Sequence, residues 1–200
     1  MALIFLDRQH AGKPGRKVSD RGAQADLDGD GKIEVHEREA MLTPKYLLNA
    51  EERLLELGHD VITLSDGWYS ERHNRVNRYS QGVSGPKVYV AAHINAGGGD
   101  YGAVFYDSRS SSGPKLAQKI AIKMKNACPE IDGGIKIIPA KPDDWTLHAN
   151  NTIRGVGSPV AICFEPCFID NDTHKVLLTE AGLSRIGIAL AEGIHSWVEG

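Results

Sequence analysis

Short, almost continuous apolar runs recur along the chain and predict buried β-strands. Five runs show this character clearly and a sixth shows it weakly: 2–7, 60–65, 87–93, 102–106, 159–165 and, as the weaker one, 135–140. Helical patterns lie between them. Segments 113–127 and 179–198 are amphipathic with helical period, and segment 70–82 begins with Ser70 as its cap and ends near Gly82.

A further helix is predicted between the first two strands. One helical face carries four apolar residues and is closed by Gly58: Leu47, Ala50, Leu54 and Leu57. Two starts are open for this helix. Thr43 is a suitable N-cap with Pro44 in the first turn, or one helix runs from Val35 and kinks at Pro44.

Strands that alternate with helices predict an α/β fold with a central, mostly parallel sheet flanked by helices. The 200 residues fit one domain, residues 1–200, with no repeat, low-complexity tract or linker. Residues 8–38 read as one long loop, and loops of that length in compact domains are usually functional.

Composition excludes several classes of function. The net charge of −3 lacks the excess of positive charge that is typical of proteins that bind nucleic acid. The sequence contains no run of eighteen apolar residues, so it predicts no membrane-spanning segment. The first ten residues lack the features of a signal peptide, so we expect a protein made and first kept in a cytosol. The three cysteines are expected to be free thiols, and the pair in "CFEPC" has no second pair with which to form a zinc knuckle.

Three predicted strands end at residues that bind metals or transfer protons. The first leads from Asp7 to His10, the third ends at His93, and the last ends at Glu165. Two imidazoles and one carboxylate make a catalytic zinc shell with an open position for water, and a second carboxylate could then act as the base. A structural, hydrogen-bonded role for each strand-end histidine is the alternative. The "HERE" at 36–39 is not a zinc-protease motif, because Ala40 follows.

The stretch "DLDGDGKIEVHE" (26–37) has the spacing of a twelve-residue EF-hand calcium loop. Acidic residues occupy positions 1, 3, 5, 9 and 12, glycine occupies position 6, and position 7 needs only a backbone carbonyl: Asp26, Asp28, Asp30, Glu34, Glu37, Gly31 and Lys32. An acidic turn without a metal is the alternative interpretation. A calcium ion bound by Glu37 would fix the backbone two residues before Glu39.

Nearly the whole chain resembles the zinc-dependent N-acetylmuramoyl-L-alanine amidases. "IFLDRQHAG" matches the family's first strand and histidine, although Arg8 and Gln9 replace its usual Pro and Gly. "AAHINAG" and "PVAICFEPCFIDN" match its later histidine and glutamate motifs. The family's Arg and Asn are matched by Arg72 and Asn77, and counting back from "LELGHDVITLSD" places its helix-opening glutamate at Glu39.

The resemblance implies that His10, Glu39 and His93 bind Zn²⁺ and that Glu165 is the general base. Only the resemblance singles out Glu39, which otherwise reads as an exposed carboxylate in a first helical turn. The implied reaction cleaves the amide between N-acetylmuramic acid and L-alanine in peptidoglycan. Arg154, Trp145 and His148 are candidates for lining the substrate groove, with a solvated structural role as the alternative for each.

The expected setting is a monomeric phage endolysin that stays in the host cytoplasm until lysis and then acts on the cell wall. A mother-cell or spore-stage autolysin is the second setting. Two other functions stay open at this point: a zinc peptidase acting on free or wall peptides, and a non-catalytic calcium-binding wall module. If the chain is a zinc amidase, Ca²⁺ bound at 26–37 would hold in place the backbone next to Glu39, one of the implied zinc ligands.

Overall fold

A six-stranded sheet forms the centre of the molecule. The computed structural model describes residues 1–10 and 20–200. In chain order the strands are β1 (Leu3–Arg8), β2 (Asp60–Leu64), β3 (Lys87–Ala92), β4 (Gly102–Asp107), β5 (Ile135–Ala140) and β6 (Val160–Glu165). All six lie where the apolar runs predict them, with ends that differ by no more than one residue.

The strand order places the predicted site residues at one edge of the sheet. The order is β2-β1-β3-β6-β4-β5, and β1, β3 and β6 are parallel neighbours. Their carboxyl ends therefore meet. Among the described strands, β4 and β6 form the one antiparallel pair, with Ala103 opposite Glu165. The prediction of a mostly parallel sheet in an α/β fold is confirmed.

Helices cover both faces of this sheet. They are α1 (Glu39–Glu56), α2 (Tyr69–Tyr79), α3 (Gly113–Ala127), α4 (Leu147–Ile153) and α5 (Glu180–Val198), with 3-10 turns at Val35–Glu37 and Asp172–Leu178. On β1, Ile4 and Leu6 pack into the core formed with α1, α3 and α5, whereas Phe5 packs into the core formed with α2 and α4. Because both faces are buried, the strand sequences are continuously apolar.

Three details of the helices differ from the prediction. Thr43 is not an N-cap, since α1 already begins at Glu39 and continues through Pro44, and the Thr43 hydroxyl donates to the carbonyl oxygen of Glu39. Ser70 is not a cap either, because α2 begins at Tyr69 and the N–H of Trp68 donates to Glu71. Helix α4 is the third difference, because none of the predicted helical segments includes Leu147–Ile153.

The predicted long loop is only partly described. β1 continues to Arg8, residues 11–19 lie outside the described residues, and a 3-10 turn occupies Val35–Glu37. A short bridge between Gln24 and Arg38 closes the base of the loop between them. Of the helices in the described ranges, none combines the length and apolar character needed to cross a membrane.

Candidate metal centre

Two histidines from neighbouring strands meet at the carboxyl edge of the sheet. His10 follows β1 and His93 follows β3, and these strands are paired in parallel. The Nε2 atom of His10 lies 3.1 Å from the Nδ1 atom of His93, and the rings meet edge to face. Adjacent parallel strands thus bring together two imidazoles that are 83 positions apart in the chain.

Glu39 completes the group from the first turn of α1. Its Oε1 atom is 3.1 Å from His10 Nε2 and 2.9 Å from His93 Nδ1. Backbone N–H groups donate to both oxygens, from Ile94 to Oε1 and from Ala23 to Oε2. Burial by itself raises the pKa of Glu39, but hydrogen bonds from His10 and His93 outweigh burial and lower that pKa well below its usual range. The carboxyl group is therefore ionised.

These three residues fit a zinc ion. One donor atom from each of His10, Glu39 and His93 lies within 4.8 Å of the other two. Two nitrogens and one oxygen are the donor set of a catalytic zinc site, in which tetrahedral ligand atoms stand about 3.4 Å apart. The observed separations of 2.9–3.1 Å need to open only slightly to accept the ion.

Outer groups orient the ligands. The Asp20 carboxylate lies 3.4 Å from His10 Nδ1, on the side of the ring away from Glu39. The Tyr46 hydroxyl donates to the backbone oxygen of His93 at 3.0 Å. Such partners fix the orientation of metal-bound imidazoles. Sequence reasoning missed both, because neither stands beside a ligand in the chain.

A buried polar network supports the end of β1. Arg72, fully buried on α2, donates to the carboxylate of Asp7 and to the backbone oxygen of Arg8. Tyr89 and Gln9 also donate to Asp7. This network fixes the end of β1, from which His10 projects. Arg72 therefore supports the candidate metal centre but is not one of its candidate ligands. Asn77, which the resemblance pairs with Arg72, hydrogen-bonds Gly155 and Gly157 instead.

Glu165 lies at the end of β6 in the same cavity. This cavity has a volume of about 330 Å³ and is lined by the three candidate ligands together with Tyr69, Asn95, Thr152, His148 and Glu165. Glu165 is 3% exposed, and its Oε1 atom accepts a hydrogen bond of 2.9 Å from His148 Nε2. Its Oε2 atom has no hydrogen-bond partner among the described residues. A buried carboxylate oxygen is thus left free beside the candidate ligands.

The three candidate groove residues lie in different places. His148 lines the cavity, whereas Trp145 is 65% exposed and packs edge-on against Phe105, which the His148 ring also contacts. Arg154 lies outside this cavity. It follows α4 near the start of β6, at the opposite edge of the sheet, and lines a separate cavity with Asp107 and Arg109. Arg154 precedes β6 and Glu165 is its last residue, so the length of the strand separates the two.

The acidic loop brings its carboxylates together in two overlapping groups. Asp26, Asp28 and Glu37 form one group with mutually close oxygens, and Asp28, Asp30 and Glu34 form the other. Backbone N–H groups of Gly29 and Gly31 donate to Asp26, and that of Lys32 donates to Asp30. The neighbouring side chain of Glu37 first, and then burial, raise the pKa of Glu34. The loop therefore concentrates negative charge around a small space.

The base of this loop is joined directly to the candidate metal centre. The N–H of Glu39 donates to Ala23 O and that of Ala40 donates to Arg21 O, while Ala23 N–H donates to Glu39 Oε2. Gly22 has a φ of +66°, and a Cβ there would collide with the Glu39 carboxylate. Glycine at this position permits both the left-handed turn and the close approach.

Comparison with solved structures shows the same fold. Cwp6 from Clostridium difficile superimposes with a TM-score of 0.76 at 20% identity over 98% of this chain, which spans 29% of that chain. The catalytic domain of CwlV from Bacillus (Paenibacillus) polymyxa var. colistinus gives 0.72 at 18% identity, covering 100% of this chain and 99% of the other. The catalytic domain of CD27L, an endolysin targeting Clostridia difficile, gives 0.62 at 18% identity, covering 97% and 96%.

No curated protein matches this sequence. A family model does match, over residues 4–196, and it describes N-acetylmuramoyl-L-alanine amidases. The match runs from the first strand through α5 and includes His10, Glu39, His93 and Glu165. The chain therefore belongs to the N-acetylmuramoyl-L-alanine amidase family.

Proposed function

We propose that this protein is a zinc hydrolase that cleaves the amide between N-acetylmuramic acid and L-alanine in peptidoglycan. One observation carries the proposal. Donor atoms of His10, Glu39 and His93 converge at one end of a cavity in which Glu165 presents a carboxylate oxygen that no described residue hydrogen-bonds. Family membership supports the amidase activity, and the donor set supports the metal.

The residues of the site divide the work of hydrolysis between them. Zinc bound by His10, Glu39 and His93 would supply Lewis acidity toward the attacked carbonyl and would make water acidic. Glu165 Oε2 accepts a proton from the attacking water as its oxygen bonds to the lactyl carbonyl carbon. The same carboxyl then gives that proton to the amine nitrogen of L-alanine as the carbon–nitrogen bond breaks. No covalent bond to the protein is formed.

Digestion of purified peptidoglycan tests the proposed bond. The expected products are peptides with L-alanine at a free amino end, together with glycan strands of unchanged length, identified by mass spectrometry. Peptides cut between amino acids would instead show a peptidase, and released disaccharides would show a glycosidase. Either result would overturn the assignment of the bond.

We also propose that residues 26–37 bind Ca²⁺ and thereby hold Glu39 in place. Oxygen donors from several acidic side chains are the ligands that Ca²⁺ prefers, and a cation would offset the negative charge of the carboxylates that this loop brings together. Because Ala23 is hydrogen-bonded to both the backbone and the side chain of Glu39, an ordered loop would also hold this candidate zinc ligand in place.

Calorimetric titration of the zinc-loaded protein tests the calcium site. Calcium should bind and raise the melting temperature, because a ligand that binds only the native state stabilises it by about 2.7 kcal/mol at a hundredfold excess over Kd. Asp26→Ala should abolish the heat of binding, whereas Lys32→Ala should retain it, because that substitution keeps the backbone carbonyl. If no heat of calcium binding were measured for the unmodified protein, residues 26–37 would be an acidic turn that binds no calcium.

We propose cell lysis as the setting of this reaction, supported by the fold shared with the CD27L endolysin domain. Coexpression with a membrane-permeabilising protein in a bacterium with susceptible peptidoglycan should lower culture turbidity. The Glu165→Gln variant should not lower it. Equal turbidity with both forms would contradict the lytic role.

A further inference from the structure

The proposed mechanism gives no role to His148, which lines the cavity and contacts the proposed base. His148 Nε2 lies 2.9 Å from Glu165 Oε1. The carboxylate oxygen accepts this hydrogen bond, so the imidazole donates from Nε2. The hydrogen bond to Glu165 raises the pKa of His148, which favours the donating form. The contact therefore occupies one carboxylate oxygen and leaves the other, Oε2, free.

The imidazole is itself held in place. His148 lies in the first turn of α4, and its ring meets the ring of Phe105 edge to face, with centroids 5.6 Å apart. Phe105 belongs to β4, the strand next to β6, and lies opposite Cys163. The ring that His148 contacts and the carboxylate that it binds thus lie on neighbouring strands, although the His148 side chain is 53% exposed.

Within residues 1–10 and 20–200, few other groups restrain the Glu165 carboxylate. Cys163 Sγ approaches Oε1 at 3.8 Å, which is a weak contact. Rotation about the last side-chain bond of glutamate is intrinsically broad. Without His148, the carboxylate would therefore be free to turn its oxygens away from the reacting water.

We propose that His148 is a positioning residue, which holds Glu165 Oε1 so that Oε2 faces the attacking water. The inference rests on the proposed amidase function and deepens it. In this role the imidazole carries no proton of the reaction, and it acts only through Glu165. A general base displaced by about 1 Å loses rate by up to roughly a hundredfold, because proton transfer needs the two heavy atoms within hydrogen-bond reach.

Two other roles for His148 make different predictions. A histidine that mainly contacts the peptide would change KM when it is replaced. A histidine that relays the reaction's proton could not be replaced by glutamine, which does not titrate. A positioning histidine can be replaced by glutamine, because the glutamine amide can donate the same hydrogen bond to Oε1.

The test compares His148→Ala, His148→Gln and Asn151→Ala, the last being a matched control on the exposed side of the same helix. Turnover on peptidoglycan is measured together with bound zinc and melting temperature. His148→Ala should lower kcat roughly ten- to a hundredfold with KM, zinc and melting temperature unchanged. His148→Gln should recover most of the lost kcat, and Asn151→Ala should equal the unmodified protein.

A second measurement shows whether His148 acts through Glu165. In a Glu165→Gln background, His148→Ala should lower kcat by less than about twofold, because residues that act as one unit are not additive. Full kcat in His148→Ala, an effect confined to KM, failure of glutamine to rescue, or an additive double variant would each overturn the positioning role. If the unmodified protein released no L-alanine-headed peptide, the amidase proposal would fail and this inference with it.

Discussion

Glu39 and Glu165 are buried carboxylates in one cavity, yet their surroundings fit them for different chemistry. Glu39 accepts hydrogen bonds on both oxygens and contacts two imidazoles, which keeps it ionised and fixed, as a metal ligand must be. Among the described residues, Glu165 has a single side-chain donor of ordinary strength, and its second oxygen has no partner. An oxygen without a partner is available to accept and return a proton.

This contrast gives a matched pair of substitutions. His93→Ala should lose bound zinc and activity together, because two ligand atoms hold the ion far less tightly than three. Glu165→Gln should keep zinc and melting temperature and lower kcat roughly a hundred- to ten-thousandfold, since an amide cannot accept the proton. Metal analysis and turnover distinguish the two. Full zinc in His93→Ala would remove that residue from the shell, and normal kcat in Glu165→Gln would place the base elsewhere.

At the scale of the elements, α5 packs between α1 and α3 through two glycines. A Cβ at Gly187 would collide with the backbone oxygen of Tyr46 in α1, and one at Gly193 would collide with Ile120 in α3. Tyr46 also donates to the backbone oxygen of His93. The distance between α5 and α1 therefore affects a residue that supports the candidate metal centre.

Gly187→Ala should lower the free energy of unfolding by about 2 kcal/mol. Overpacking a core costs about 1–3 kcal/mol, and the colliding atom is backbone, so it cannot move aside alone. The better helix propensity of alanine returns only part of this. Urea unfolding measures the change, with Ile188→Ala on the exposed side of α5 as a control expected to cost less. Equal stability in Gly187→Ala would show that the two helices separate freely.

At the scale of the whole molecule, a histidine pair, with His59 buried and His195 half-buried, joins the ends of α1 and α5. His59 follows α1, and its Nε2 atom lies 3.0 Å from Nδ1 of His195 in the last turns of α5. Burial first, and then the charges of His195 and the chain's amino terminus, lower the pKa of His59 from 6.5. The folded protein thus binds a proton at His59 less readily than the unfolded chain.

The contribution of His59 to the free energy of unfolding should accordingly fall as the pH drops. A histidine whose pKa is lowered by folding contributes its full stabilisation above the unfolded value of 6.5 and loses it as the pH falls through the folded value. Between pH 7.5 and 5.5, His59→Gln should lose less stability than the unmodified protein, with a difference in slope of up to about one proton. Zinc release affects both forms alike. Identical slopes in urea titrations would contradict the role of His59.

The sequence by itself determined the sheet and three of the four residues placed at the candidate site. Strands buried on both faces must be apolar throughout, so the pattern located all six, and the polar residues where β1, β3 and β6 stop are His10, His93 and Glu165. Parallel neighbours bring such strand ends together. Glu39 carried no signal in its own neighbourhood and was found only through the resemblance to a family.

The tertiary structure decided what local pattern could not. Helix α4 has only 7 residues, too few for a clear period, and the place of His148 beside Glu165 depends on how α4 packs on β4 and β6. Arg154 follows the same helix but lies near the amino end of β6, whereas the candidate site lies at the carboxyl end of that strand. Glu39 became a candidate ligand because α1 begins there and Ala23 and Ile94, distant in sequence, donate to its two oxygens. Contacts of this kind join residues far apart in the chain, and only folding brings them within hydrogen-bond distance.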